Sequence, residues 1–184
     1  MKIYQFKTGD IILFKKKYRD RAIWLMLTNY THIGIVINLN NKLYILENNP
    51  PILLKYNNKI LKNTTLTELY DRLYNYDDKI YYVKVKLNYQ LKIEENLKKN
   101  LKKYLSIKFP KNKLLYLFYT LIIKNEYSIP KYLICSELIY YILFDTKLVK
   151  SYLCKTPDDI IKCKFYSFKG KINKKDLMFI KYIT

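Results

Sequence analysis

The chain has 184 residues, a formal net charge of +20 and a hydrophobic half. This describes one globular domain spanning 1–184 and excludes a disordered chain; no period of 20–50 residues marks a repeat array. The charge invites an anionic partner, yet only Arg19, Arg21 and Arg72 among the 35 basic residues are arginine. Readers of DNA and phosphate favour the arginine fork, and the excess of Lys, Asn, Ile and Tyr follows AT-rich codons, so nucleic acid is not expected as the main partner.

Gly9-Asp10 reads as a turn into a short buried strand, Ile11 to Phe14. Arg19 to Leu27 is a helical stretch carrying the only tryptophan, Trp24. Ile33 to Ile37 has the β-branched, apolar composition of a central strand. Asn40-Asn41 is a hairpin signal into a second strand, Lys42 to Glu47. Asn48-Asn49-Pro50-Pro51 is expected to stop it, with a further short strand over Ile52 to Lys55.

Thr64-Thr65-Leu66-Thr67-Glu68 reads as a helix start with Thr64 or Thr65 as cap, the helix running to Tyr74. Ile80 to Leu87 alternates as a half-buried strand. Leu91 to Leu105 is an amphipathic helix with the stripe Ile93, Leu97, Leu101 and Leu105, flanked by Lys98, Lys99, Lys102 and Lys103. Leu114 to Ile123 predicts a helix apolar nearly all round, and Tyr132 to Phe144 a buried helix carrying Cys135. Thr156-Pro157-Asp158-Asp159-Ile160 predicts a helix start with Thr156 as cap and Pro157 in the first position. Phe165 to Ile172 and Leu177 to Ile183 read as a closing pair of strands. Strands and helices do not alternate regularly, so the fold class is α+β.

The three cysteines (Cys135, Cys154, Cys163) form no C-x-x-C pair and no His/Cys zinc cluster, so neither metal nor cofactor is expected. Residues 1–10 lack the apolar stretch of a secretory signal, and Leu114 to Ile123 is about half a membrane span. An intracellular, soluble or at most peripheral protein is the expectation.

The chemistry centres on Cys135 and on the single histidine, His32. A thiol in the first turn of a helix faces backbone N–H groups and the positive end of the helix dipole, which favour the thiolate nucleophile. A nearby imidazole can hold the proton and later deliver it to the leaving group. The imidazole in turn needs an acceptor to orient it. Pairing the two strands about Asn40-Asn41 sets Glu47 opposite the start of the first strand, beside His32. The Cys135 backbone N–H is expected in the oxyanion hole, with Tyr30 as a neighbour.

The segments Gly9-Asp10-Ile11-Ile12-Leu13-Phe14, Thr31-His32-Ile33-Gly34-Ile35-Val36, Leu46-Glu47 and Cys135-Ser136-Glu137-Leu138-Ile139 together resemble the circularly permuted branch of the papain-like, NlpC-type superfamily. The resemblance is nearest to the YiiX/YaeF-like group and its poxviral relatives, and Thr156-Pro157-Asp158-Asp159-Ile160 also resembles a segment that follows the cysteine helix in that group. The order His, polar residue, Cys is that of the permuted branch. The resemblance implies an antiparallel sheet packed against the cysteine helix. It also implies hydrolysis or acyl transfer at an amide or ester through a thioacyl-enzyme, with Cys135 as nucleophile, His32 as base and Glu47 orienting His32. A lipid or a modified protein is the implied substrate. With the AT-rich composition, it leans towards a viral protein of the host cytoplasm or virion. Two alternatives stay open: a papain-like module whose catalysis is dispensable, acting as a structural or host-interaction protein, and a binder of anionic lipid or nucleic acid through the lysine face, with peripheral membrane contact.

Overall fold

Asn40 and Asn41 have φ of 51° and 62°, the left-handed pair that a two-residue hairpin turn requires. In the computed structural model, which describes residues 4–15, 28–54, 59–112, 115–116, 130–150 and 156–180, they join β2 (His32–Leu39) to β3 (Lys42–Leu54). With β1 (Ile11–Lys15), β4 (Lys59–Glu68), β5 (Lys79–Val85) and β6 (Tyr166–Ile172) they form one six-stranded sheet, ordered β4-β3-β2-β1-β5-β6. Among the described residues, all pairings between these six strands are antiparallel.

The central strands are buried on both faces, which is why β1 and β2 read as continuous apolar runs rather than alternating ones. Ile11, Leu13, Ile33, Ile35 and Ile37 turn to one face. There they meet Ile93, Leu97 and Tyr104 of α2 (Leu87–Leu105) and Leu138, Ile139 and Ile142 of α3 (Cys135–Asp145). Ile12, Phe14, Val36 and Ile45 turn to the other face, against Leu69 and Leu73 of α1 (Leu69–Tyr74) and Leu177 of α5 (Lys174–Ile180). A single turn of helix, α4 (Asp159–Lys162), precedes β6. The result is the expected α+β class, with the cysteine helix packed on an antiparallel sheet.

Several expectations are corrected. The Asn48-Asn49-Pro50-Pro51 run does not end the strand: β3 continues to Leu54, and its register against β4 shifts between Asn49 and Ile52, where the prolines sit in the irregularity. The Thr64–Glu68 segment is strand, not helix. Its β-branched threonines pair with β3, Glu47 opposite Thr65 and Leu46 opposite Leu66, so the helix is confined to α1, whose N-cap Glu68 makes no side-chain capping bond. The last expected strand, Leu177 to Ile183, is helical over its described part, because β5 takes β6 as its outer neighbour and the chain then turns at Asn173 into α5. Asn173 begins that helix by accepting the Lys175 N–H at 3.1 Å.

Thr156 is not the cap of α4, whose N-cap is Asp158. Instead its backbone N–H and hydroxyl donate to Asp159 at 2.8 and 2.9 Å. The helix expected over Leu91 to Leu105 starts at Leu87, and β5 ends at Val85. The Arg19–Leu27 helix, Cys154 and most of the Leu114–Ile123 helix lie outside the described residues. No helix among the described residues is long and apolar enough to cross a membrane.

Candidate active site

Ile134 is extended (φ −83°, ψ 170°), and the chain turns helical at Cys135, so the cysteine is the first residue of α3. Glu137 shapes this start. Its carboxylate accepts the Ile134 N–H at 3.1 Å and the Tyr116 hydroxyl at 2.8 Å. The first intrahelical bond runs from the Leu138 N–H to the Ile134 carbonyl at 3.0 Å. The first turn of a helix has N–H groups without intrahelical acceptors and carries the positive end of the dipole, an environment that stabilises negative charge on the sulfur or on an oxygen bound beside it. Cys135 is buried, with 8 % of the residue exposed.

A second set of bonds fixes the approach to this helix. Asn48, fully buried on β3, donates its amide to the Leu133 carbonyl at 2.7 Å and to the Lys108 carbonyl at 3.3 Å. Its neighbour along the strand, Glu47, points to the opposite face. One dipeptide thus holds the cysteine segment with one side chain and the histidine with the other.

His32 opens β2, opposite Phe14 of β1, and its ring lies 5.5 Å from the Phe14 ring. Its Nε2 and Glu47 Oε2 are 2.6 Å apart. The imidazole also hydrogen-bonds Cys135. With Nε2 committed to Glu47, Nδ1 is the nitrogen available to the thiol. Burial works against the imidazolium, but the charge and hydrogen bond of Cys135, followed by those of Glu47, outweigh it and raise the His32 pKa to about 9.

Glu47 is buried completely, yet its pKa falls to about 2: burial opposes ionisation, and the charge of Arg72, then the bond and charge of His32, overcome it. Arg72 grips the carboxylate with both edges of its guanidinium, Nε to Oε1 at 2.6 Å and Nη2 to Oε2 at 3.3 Å. Its cation lies 4.5 Å from the centre of the Phe14 ring and 5.5 Å from that of Tyr76. The four side chains form one buried line: Arg72, Glu47, His32, Cys135.

The structure therefore brings together all three sequence-predicted residues, by a different register from the one expected. β2 and β3 pair Ile35 with Leu46 and Val36 with Ile45. Continued by one pair, this sets Glu47 across from Gly34, so Glu47 reaches His32 diagonally along one face. Gly34 makes that reach feasible. A Cβ there would lie 2.6 Å from the Ile45 side chain and 3.3 Å from the Glu47 Cβ.

Tyr30 packs edge-on against Tyr81, ring centres 5.4 Å apart, in the same apolar cluster as Cys135. The Thr28-Asn29 turn before it is held by Asp158, which accepts from the Thr28 hydroxyl and from the Asn29 backbone and side-chain amides. Of the lysine face, Lys98 pairs with Glu94 at 2.6 Å, and Lys103 is drawn to Asp145 at 2.7 Å and over the Tyr141 ring. Arg72 and Asn48 escaped the sequence reading. The only available signal for Arg72 was its being one of three arginines in a chain that otherwise uses lysine.

No family model matches the chain, and no curated protein matches it. Among solved structures, the chain is similar to the crystal structure of metalloprotein yiiX from Escherichia coli O157:H7, with a TM-score of 0.62 and 16 % sequence identity over 92 % of this chain and 99 % of that one. The architecture is thus an α+β fold of the yiiX type.

Proposed function

We propose that the chain is a cysteine-dependent acyl hydrolase or acyltransferase acting on an amide or ester through a thioacyl-enzyme. The observation that carries this reading is the placement of His32 between Cys135 and a carboxylate that Arg72 keeps ionised. The chain order His32, Glu47, Cys135, which resembles that of permuted papain-like enzymes, supports it.

The Cys135 sulfur, its proton passed to His32, adds to the carbonyl carbon of the substrate, and the carbonyl π electrons move onto oxygen. The N–H groups at the start of α3 stabilise that oxyanion. The oxyanion collapses, the bond to the leaving nitrogen or oxygen breaks, and imidazolium His32 donates the proton that the leaving amine or alcohol needs. In the second half His32 takes a proton from water or an acceptor nucleophile. That nucleophile displaces the sulfur from the thioester, and the thiolate–imidazolium pair is restored. Glu47 holds the ring so that the other nitrogen faces the sulfur and stabilises its cationic form. Arg72 keeps the buried carboxylate charged throughout.

The yiiX structure is described as that of a metalloprotein. The donor set here does not fit a metal. Both Glu47 oxygens are engaged by Arg72 and His32, and no group of three or more His, Cys, Asp and Glu among the described residues is arranged to hold an ion.

Turnover of a panel of activated esters, thioesters and amides tests the proposal. Wild-type protein should release the leaving group. Cys135→Ala and His32→Ala should each reduce the rate to background, and Glu47→Gln should reduce it by roughly 10²-fold or more, as loss of an orienting carboxylate does in related triads. A wild-type rate equal to that of Cys135→Ala across the panel would end the proposal.

A further inference from the structure

Beside the start of the cysteine helix lies an open groove of about 320 Å³, walled by Leu115, Tyr116 and Tyr132. It is joined to the site by covalent and hydrogen-bonded links. Tyr132 is three residues before Cys135, and the Tyr116 hydroxyl donates its one proton between the Tyr132 carbonyl at 3.0 Å and, at 2.8 Å, Glu137, the carboxylate that shapes the helix start. The groove is apolar and its rim projects into solvent, Leu115 being 67 % and Tyr132 38 % exposed.

Three exposed lysines surround it. Lys111 lines the groove itself. Lys108 donates its backbone N–H to the Lys131 carbonyl at 3.0 Å and accepts from the Leu133 N–H, which sets Lys108 and Lys131 on neighbouring segments. The Lys131 ammonium lies 5.7 Å from the centre of the Tyr132 ring. Segments 107–112 and 130–134 contain no acidic residue, and the nearby Glu137 is fully buried, its carboxylate held by the Ile134 N–H and the Tyr116 hydroxyl.

We infer that this face docks on an anionic lipid bilayer, with Leu115 and Tyr132 entering the interface and Lys108, Lys111 and Lys131 meeting the headgroups. An exposed leucine and an apolar groove find no match in a water-facing polyanion, whereas an interface offers acyl chains beneath anionic headgroups. Lysine suffices as a point charge for headgroups, and the arginine fork that reads phosphate or base edges is absent from the patch. The docked surface brings the bilayer to the mouth of the Cys135 helix; only this last consequence rests on the proposed acyl chemistry.

The experiment is co-sedimentation of the full chain carrying Cys135→Ala with two kinds of vesicle: phosphatidylcholine alone, and phosphatidylcholine containing phosphatidylserine. Binding to the serine-containing vesicles is expected, weakening steeply with salt. The triple variant Lys108→Glu, Lys111→Glu, Lys131→Glu should lose roughly a hundredfold in binding, and Leu115→Asp about tenfold. Far-UV circular dichroism should show both folded. The triple variant in an otherwise wild-type chain should turn over a small soluble ester at the unmodified rate. Failure of turnover in the wild type with vesicle binding intact would sink the acyl reading and leave docking standing. Absence of vesicle binding, or binding indifferent to the triple reversal, would overturn the docking proposal.

Discussion

Replacing Arg72 by methionine leaves Glu47 without its guanidinium partner in a site that solvent does not reach: Glu47 is 0 % and Arg72 3 % exposed. The sign of the pH dependence follows from the lowered pKa. The folded chain binds a proton at Glu47 only near pH 2, the unfolded chain near 4.5, so the carboxylate's stabilisation is complete above the unfolded value and disappears as pH falls through about 2. At about 1.4 kcal/mol per pKa unit the gap is worth roughly 3 kcal/mol at neutral pH and roughly 1 kcal/mol at pH 3. That agrees with the ~3–5 kcal/mol expected when one partner of a buried ion pair is removed. Arg72 supplies the largest share of that gap and His32 the rest, so Arg72→Met should lower stability by up to about 3 kcal/mol at neutral pH, a fall of up to about 1–2 M in the urea midpoint. Urea titrations followed by circular dichroism at neutral pH and at acid pH measure it, and the wild type and variant should converge on acidification. An unchanged midpoint at neutral pH, or a difference that does not shrink towards acid, would refute the idea that Arg72 keeps Glu47 charged.

Other outcomes follow from the same geometry. His32 has the opposite sign: its contribution is complete below about 6.5 and is lost as pH rises through about 9, so the urea midpoint of the wild type should fall over that window while that of His32→Asn stays flat. Gly34→Val should cost about 1–3 kcal/mol by overpacking against Ile45 and should also slow turnover by displacing Glu47, whereas Ile37→Val, whose side chain faces the other core, should cost about 1 kcal/mol without moving Glu47. Asn48→Leu should destabilise by about 1–3 kcal/mol because the Leu133 carbonyl loses its buried donor, and should lower kcat more than it raises KM, since it loosens the segment that aims Cys135.

Much of the site was legible because local signals and chain order agreed. Cys135 heads a helix, His32 heads an apolar strand, and Asn40-Asn41 announced the hairpin that joins His32 to Glu47. The turn's presence was clear but its register was not, because pairing depends on which side chains the rest of the core accepts; Gly34, whose missing side chain allows the diagonal contact, carries no periodic signal. Thr64 and Thr65 misled because a threonine pair serves equally as helix cap and as strand, and the long β3 partner decided between them. The strand expected over Leu177 to Ile183 failed for a similar reason: a short apolar run fits helix and strand alike until its neighbours are known. Arg72 and Asn48 were invisible because their roles exist only across contacts 25 and 85 residues apart in sequence.

The central claim is that Cys135 forms a thioester with substrate under the control of His32. Rapid quenching of an activated acyl ester with the protein, followed by peptide mapping in a mass spectrometer, addresses it directly. The account predicts an acyl group on the Cys135 peptide within the first turnovers, absent from Cys135→Ala and strongly slowed in His32→Ala. Acylation spread over Cys163 and surface lysines, or acylation of Cys135 at the same rate with and without His32, would contradict it.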